Sequence, residues 1–143
     1  MNEKILCQGY QRRDGTKGIR NKVLIVFTVE CSKYVCRKIA EYFQNIGEDV
    51  ETIGSHSCLH NQVNIRRMLK YCTHPNVGGV LVIGHGCEYT YPSMLAKEAE
   101  RSGREAAWFY QQEAGGTKKS IIRGITIVQD MLDKLKNVPR IPM

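Results

Sequence analysis

The sequence predicts an α/β fold, a three-layer sandwich around a four-stranded parallel sheet in the order 2-1-3-4. Three observations lead there. Apolar runs of strand length alternate with helical stretches along the chain. Two of those runs, 22–28 (KVLIVFT) and 79–84 (GVLVIG), show no polar alternation, as expected of strands buried on both faces. Alternating strands and helices imply right-handed crossovers and a parallel sheet.

Residues 8–21 (QGYQRRDGTKGIRN) form a polar lead-in arm with turn chemistry at Asp14-Gly15 and are expected to be irregular. Strand one follows at 22–28. A helix is expected from about Ser32 to Ile46, with Val35, Ile39, Phe43 and Ile46 on one face and Gly47 after its end. Cys36 borders that stripe and reads as core. Residues 49–53 (DVETI) alternate and read as a less buried strand two, near an edge. After the polar loop 54–61 comes a helix at 62–72 with Ile65, Leu69 and Cys72 on one side. His74-Pro75 breaks it, and strand three is expected at 79–84. Pro92 suits the first turn of the next helix, which stops at Gly103. Residues 106–110 (AAWFY) are strand four. Thr117 is the expected N-cap of the last helix, about 118–137, whose stripe is Ile121, Ile125, Val128, Leu132 and Leu135. The order 2-1-3-4 is flavodoxin-like and puts a topological switch between strands one and three, where ligands bind at the carboxyl ends of strands. The chain is expected to be a single domain over 1–143: the arm at 8–21, an α/β core at 22–137 and a tail at 138–143.

The bulk properties exclude several classes. With 143 residues, 42% of them apolar, the chain can build a core without disulfides. No apolar run approaches the roughly 20 residues that span a bilayer, and no signal peptide is evident, so the expected address is cytoplasmic and membrane-free. The net charge of +7 suits a solvated surface or an anionic partner, and the basic residues are scattered rather than interleaved with aromatics, which disfavours nucleic acid. Neither GxGxxG nor GxxxxGK[ST] occurs, so nucleotide and flavin binding rank low.

All four strand-to-helix loops open on one edge of such a sheet. They bring together Thr28, Glu30 and Cys31; His56, Cys58 and His60; His85, Cys87 and Glu88; and Gln112, Glu113 and Thr117. Three cysteines, Cys31, Cys58 and Cys87, converge there. Three thiolates suit iron or zinc and leave a position open for substrate or water; the alternative is three unrelated thiols near helix starts. Glu88 and Glu113 are candidates for base or acid, or for helix N-terminal residues favoured by the dipole. His85 is a third candidate for proton transfer or ligation. The Gly115-Gly116-Thr117 turn offers free amides to a carboxylate or phosphate, or simply makes the turn.

Three blocks, 9–31 (GYQRRDGTKGIRNKVLIVFTVEC), 74–88 (HPNVGGVLVIGHGCE) and 111–121 (QQEAGGTKKSI), resemble the second domain of the altronate/galactarate dehydratase family. The resemblance implies a hydro-lyase module that turns sugar acids into 2-keto-3-deoxy acids with Fe2+, as a single ion or in an iron–sulfur cluster. Residue by residue it points to Arg13, Asp14, Arg20 and Asn21, to Thr28 and Cys31, to Gly86, Cys87 and Glu88, and to Glu113, Gly115, Gly116 and Thr117. The resulting expectation has Glu88, Glu113 and His85 as catalytic groups. Arg13, Asp14, Thr28, Gly115, Gly116 and Thr117 would hold substrate, and Cys31, Cys58 and Cys87 the metal. The chain departs from the family at His85, usually apolar, and at Gly54 and Ser57, where a His and a Gly are usual. Family enzymes carry a small β-rich domain before this module and a long one after it. The chain is thus expected to be an excised domain or a short relative, incomplete alone, whose partners are a small anionic sugar acid and those missing domains. A homo-oligomer is compatible with the pattern, and a non-catalytic binding module is the alternative function.

Overall fold

The computed structural model describes residues 7–57 and 61–143. Its centre is β5 (Val77–Gly84), every residue of which is buried. It lies between β3 (Lys22–Phe27) and β6 (Glu105–Tyr110), and β4 (Val50–Gly54) completes a parallel sheet in the order β4-β3-β5-β6. That is the 2-1-3-4 order of a flavodoxin-like fold. Register is set by the apolar runs themselves: Leu24 pairs with Val80, Phe27 with Ile83, and Val82 with Trp108.

Successive side chains of a strand point to opposite faces, so an unbroken apolar run feeds two cores. Leu81 and Ile83 face α1 (Lys33–Gln44) and α4 (Thr117–Lys136), packing with Ile39, Phe43, Val128 and Leu132. Val80 and Val82 face α2 (Gln62–Cys72) and α3 (Pro92–Arg101), packing with Met68, Leu95 and Ala96. Cys36 and Cys72 are fully buried, one in each core. Burial pushes both thiols up, Cys72 to about 12. Strand β4 sits at the sheet edge and is the less buried strand, with Val50 buried and Thr52, Ile53 and Gly54 half-buried.

The structure differs from the sequence expectation in three places. The lead-in is not irregular. Strands β1 (Gln8–Gln11) and β2 (Lys17–Gly18) form a hairpin around the Asp14-Gly15 turn, and β7 (Ile141–Pro142) pairs antiparallel with β1. The tail of the chain thus returns to pair with its start, a long-range event with no local signature. Helix α1 ends at Gln44, leaving Ile46 exposed in the turn that Gly47 closes, because the helical stripe runs one turn beyond the core it covers. Thr117 is the first residue of α4 rather than its cap. Gly116 holds the cap position, and no side chain among the described residues caps that helix start.

Candidate active site at the carboxyl edge of the sheet

The loop after β5 is organised by one carboxylate. Glu88 is buried, and its two oxygens receive four hydrogen bonds. Thr28 Oγ1 donates to Oε1 at 2.7 Å and the His85 amide to the same oxygen at 2.8 Å. The Gly86 and Cys87 amides donate to Oε2 at 2.8 and 3.0 Å. Burial alone raises the Glu88 pKa; the donors at Gly86, Thr28, its own amide and His85 outweigh it, and the net shift is downward. The carboxylate therefore stays ionised and locks the turn that presents His85 and Cys87.

Two glycines make this possible. A Cβ on Gly84 would lie 2.3 Å from Glu88 Oε1 and 2.9 Å from both Pro92 and Tyr110, so only glycine lets Glu88 fold back over the strand end. Gly86 has φ +139°, a backbone conformation that favours glycine, and its open side is closed by the Gln112 side chain.

Around this loop the topology gathers its neighbours. Cys31 is exposed in a single 3-10 turn, Glu30–Ser32, directly after β3. Glu30 pairs with His56 from the loop after β4, and the His56 ring meets Phe27 edge-on at 5.8 Å. The hydrogen bond from His56 is the main reason that the Glu30 pKa is lowered. On the other side, the Gln111 amide donates to Gly84 O at 2.7 Å and the Gln112 amide to His85 O at 3.1 Å, fastening the β6 loop to the β5 loop. Gln111 is buried and donates to Thr117 Oγ1 at 3.2 Å, a support that the sequence pattern does not reveal because glutamine is common in loops. Glu113 is exposed and makes no hydrogen bond or ion pair among the described residues. The left-handed Gly115-Gly116 turn then opens α4, whose first turn carries Lys118 and Lys119 and no acidic residue.

Of the expected site residues, Thr28, Cys31, His85, Cys87, Glu88, Glu113, Gly115, Gly116 and Thr117 thus share this edge. Arg13 and Asp14 do not join them. Asp14 is bonded to Arg104 Nη1 at 2.7 Å and to the Thr16 hydroxyl at 2.6 Å, beside the start of β6. The Thr16 bond, followed by the Arg104 contacts, holds its carboxyl down to about 2. Arg13 lies against Gly103 at that same end. A six-residue strand puts the two ends of the sheet roughly 20 Å apart. The two lead-in residues therefore cannot bind the same small molecule as Thr28, because their segment precedes β3 and a parallel strand delivers its preceding loop to the opposite edge. Arg104, buried, completes the clamp by donating to the carbonyls of Val77, Thr73, His74 and Ser102.

The three expected metal ligands are only partly gathered. Cys58 lies outside the described residues. Among the described residues no group of three or more His, Cys, Asp or Glu side chains is close enough to hold an ion. Cys87 Sγ and His85 Nδ1 are 3.8 Å apart, close to the roughly 3.6 Å that a thiolate and an imidazole subtend on one tetrahedral ion. A thiol and an imidazole are also the donor types that iron takes, so the residues present fit part of such a site.

Comparison with known proteins bears on what this edge is. Residues 9–136 match the family model described as "D-galactarate dehydratase/Altronate hydrolase, second domain". The altronate dehydratase of Bacillus subtilis is 32% identical over 98 residues, covering 61% of this chain and 20% of that protein. The altronate dehydratase of Escherichia coli is 36% identical over 92 residues, covering 57% of this chain and 19% of that protein. The chain thus spans about a fifth of the length of these relatives. Rubredoxin:oxygen oxidoreductase from the anaerobe Desulfovibrio gigas superposes with a TM-score of 0.53 over 81% of this chain and 36% of its own, at 14% identity, a likeness of fold alone. No helix among the described residues is long and apolar enough to cross a membrane. With a family model matched from residue 9 to residue 136, the chain belongs to the D-galactarate dehydratase/altronate hydrolase family and corresponds to its second domain.

Proposed function

We propose that this chain forms one wall of the active site of a hydro-lyase that converts a sugar acid of the altronate or galactarate type to a 2-keto-3-deoxy acid. The observation that carries the proposal is the Glu88-braced turn of Gly86 and Cys87 at the topological switch point, within a chain that matches the family from residue 9 to 136. In that reaction the proton α to the carboxylate leaves, the β-hydroxyl departs as water, and the enol rearranges to the ketone.

Each loop has a share. Cys87 and His85 would supply two ligands to iron; Cys31, on the neighbouring turn, is not close enough to complete a set of three among the described residues, and Cys58, expected as a further ligand, lies outside them. Bound there, Fe2+ supplies a Lewis acid for a substrate carboxylate or hydroxyl. The uncapped start of α4, with Lys118 and Lys119 in its first turn, seats a carboxylate: the free amides and both cations favour an anion there. Glu113, exposed beside that seat and without a partner, takes the α proton. Glu88 is a positioning residue, since four donors and a lowered pKa make it a poor proton acceptor at neutral pH. The remaining walls belong to parts of the enzyme that this chain does not span, so the chain by itself turns over little substrate.

The test is binding rather than turnover. Galactarate and altronate are titrated anaerobically into the chain with and without Fe2+, and amide shifts are followed by NMR. Shifts confined to 28–31, 85–88 and 113–119, enhanced by iron and lost in Cys87→Ser, support the proposal. No shift at millimolar sugar acid with iron present sinks it in favour of a non-catalytic module, the reading consistent with Gly54 and Ser57 replacing the usual His and Gly.

A further inference from the structure

The other open feature of the molecule is the edge of the sheet at β4. Among the described residues that strand has β3 as its one neighbour. Val23 N donates to Asp49 O and Ser55 N to Phe27 O, both at 3.0 Å, so the odd-numbered positions turn their main-chain groups to β3. The even-numbered positions face outward. Gln44 Nε2 takes the Val50 carbonyl at 2.8 Å, which leaves the main-chain groups of Thr52 and Gly54 facing away from the sheet.

Beside this edge runs a groove. Helices α2 and α3 pack against each other, and the α2 face of the sheet is left partly uncovered over β4. Cavities of about 220 and 300 Å³ lie there, a third of about 490 Å³ runs along α2 from Val63 to His74, and Tyr71 lines all three. Leu24 and Ile53 form an apolar floor, and Val63 and Tyr71 expose apolar surface along the wall.

The charge on that wall has one sign. Helix α2 carries Arg66, Arg67 and Lys70 and no acidic residue, and none of the three makes an ion pair among the described residues. The acidic group in the groove, Glu51, is already held by Lys22 at 2.9 Å. Three uncompensated cations beside an open strand edge and an apolar floor describe a complement: an extended chain with carboxylates on one side and apolar side chains on the other. A second copy of this chain does not supply it, since a two-fold pairing would set the same cations against each other in a protein of net charge +7. A small anion would meet the cations but leave the strand edge and the apolar floor unused.

We propose that the groove between α2 and β4 binds an acidic, extended segment of a partner polypeptide, which adds as a strand to the β4 edge. Its main chain pairs with Thr52 and Gly54, its alternate apolar side chains lie on Leu24, Ile53 and Tyr71, and its carboxylates meet Arg66, Arg67 and Lys70. This surface is independent of the sugar-acid proposal and stands whether or not that one holds.

The probe is a fluorescent ten-residue peptide of alternating glutamate and valine, with a lysine-for-glutamate peptide and a ten-nucleotide oligo-thymidine as competitors. Anisotropy measures affinity, and amide hydrogen exchange measures protection. The acidic peptide is expected to bind, weakening with salt, and to protect the Thr52 and Gly54 amides. Reversing the charges (Arg66→Glu, Arg67→Glu, Lys70→Glu) should weaken it by about tenfold or more. Thr52→Pro removes an outward-facing N–H that an edge strand can spare, and should abolish protection at Gly54 while the cations remain. Circular dichroism checks that both variants are folded. Binding indifferent to the charge reversal, binding without protection at Thr52 and Gly54, or equal binding of the oligonucleotide through the same cations would each overturn the proposal.

Discussion

Replacing Glu88 by glutamine tests the central claim about the site, that one carboxylate holds the β5 loop. The side chain keeps its size, so its fit over Gly84 is preserved. The hydrogen bonding is not. Each carboxylate oxygen faces two donors, and an amide NH2 in either place must oppose at least one of them. The least damaging orientation puts the NH2 toward Thr28, whose hydroxyl can turn to accept, and leaves the His85 amide without a partner. Orphaning the partly buried His85 amide costs at most about 1–3 kcal/mol, and bonds to a charged acceptor are worth about 1.5–3 kcal/mol net, so the expected loss is about 3 kcal/mol. For 143 residues at roughly 2.1 cal/mol/K each, that lowers Tm by about 10 °C. Urea unfolding at pH 7 reads the loss as a lower midpoint at unchanged m. The pH dependence adds a sign. The folded pKa of Glu88 is depressed, so its contribution is complete above the unfolded value of about 4.3 and fades as pH falls through the lower folded pKa. The gap between wild type and variant should therefore narrow below about pH 4. A variant within about 0.5 kcal/mol of wild type at pH 7, or a gap that widens in acid, would refute the brace.

Three further outcomes are expected. Gly84→Ala drives a Cβ into Glu88 and should destabilise by about 2 kcal/mol, with the amide resonances of 85–88 displaced most. A thiol reagent at pH 8 should modify Cys31 and Cys87 in the native chain, while Cys36 and Cys72 wait for unfolding, as peptide mapping with and without urea will show. Arg104→Met should cost about 3 kcal/mol by stripping donors from buried carbonyls, and should let the Asp14 pKa rise from about 2, the Thr16 bonds still holding it low in an NMR titration.

Much of this architecture is written locally. The Val80–Ile83 run is apolar at every position, so it can only be a strand covered on both faces, and the stripe from Val128 to Leu135 can only be a helix lying on one. Pro92 and Gly103 bracket α3 because a missing N–H is harmless at a helix start and a left-handed residue ends one well. The site was legible as a set of loop residues for the same reason: a parallel sheet delivers every strand-to-helix loop to one edge. Arg13 and Asp14 went astray because likeness of sequence blocks carries no information about which end of a strand a residue occupies. The role of Glu88 was open from sequence, since a glutamate just past a strand can serve as base, as ligand or as a helix N-terminal residue, and its part as a brace shows only in the fold.

By itself, then, the sequence determined the order of strands and helices, the faces they bury and the edge at which Thr28, Cys31, His85, Cys87 and Glu113 meet, because those follow from periodicity and connection rules within short windows. Only the tertiary structure decided what each polar group is bonded to. Whether Glu88 is free or saturated depends on Thr28, 60 positions away, and on a glycine that leaves room for it. The pairing of β1 with β7 and the clamp of Arg104 on Asp14 likewise join residues far apart in the chain. Hydrogen bonds of that span leave no periodic trace, since each depends on one donor and one acceptor meeting rather than on a repeating pattern of burial.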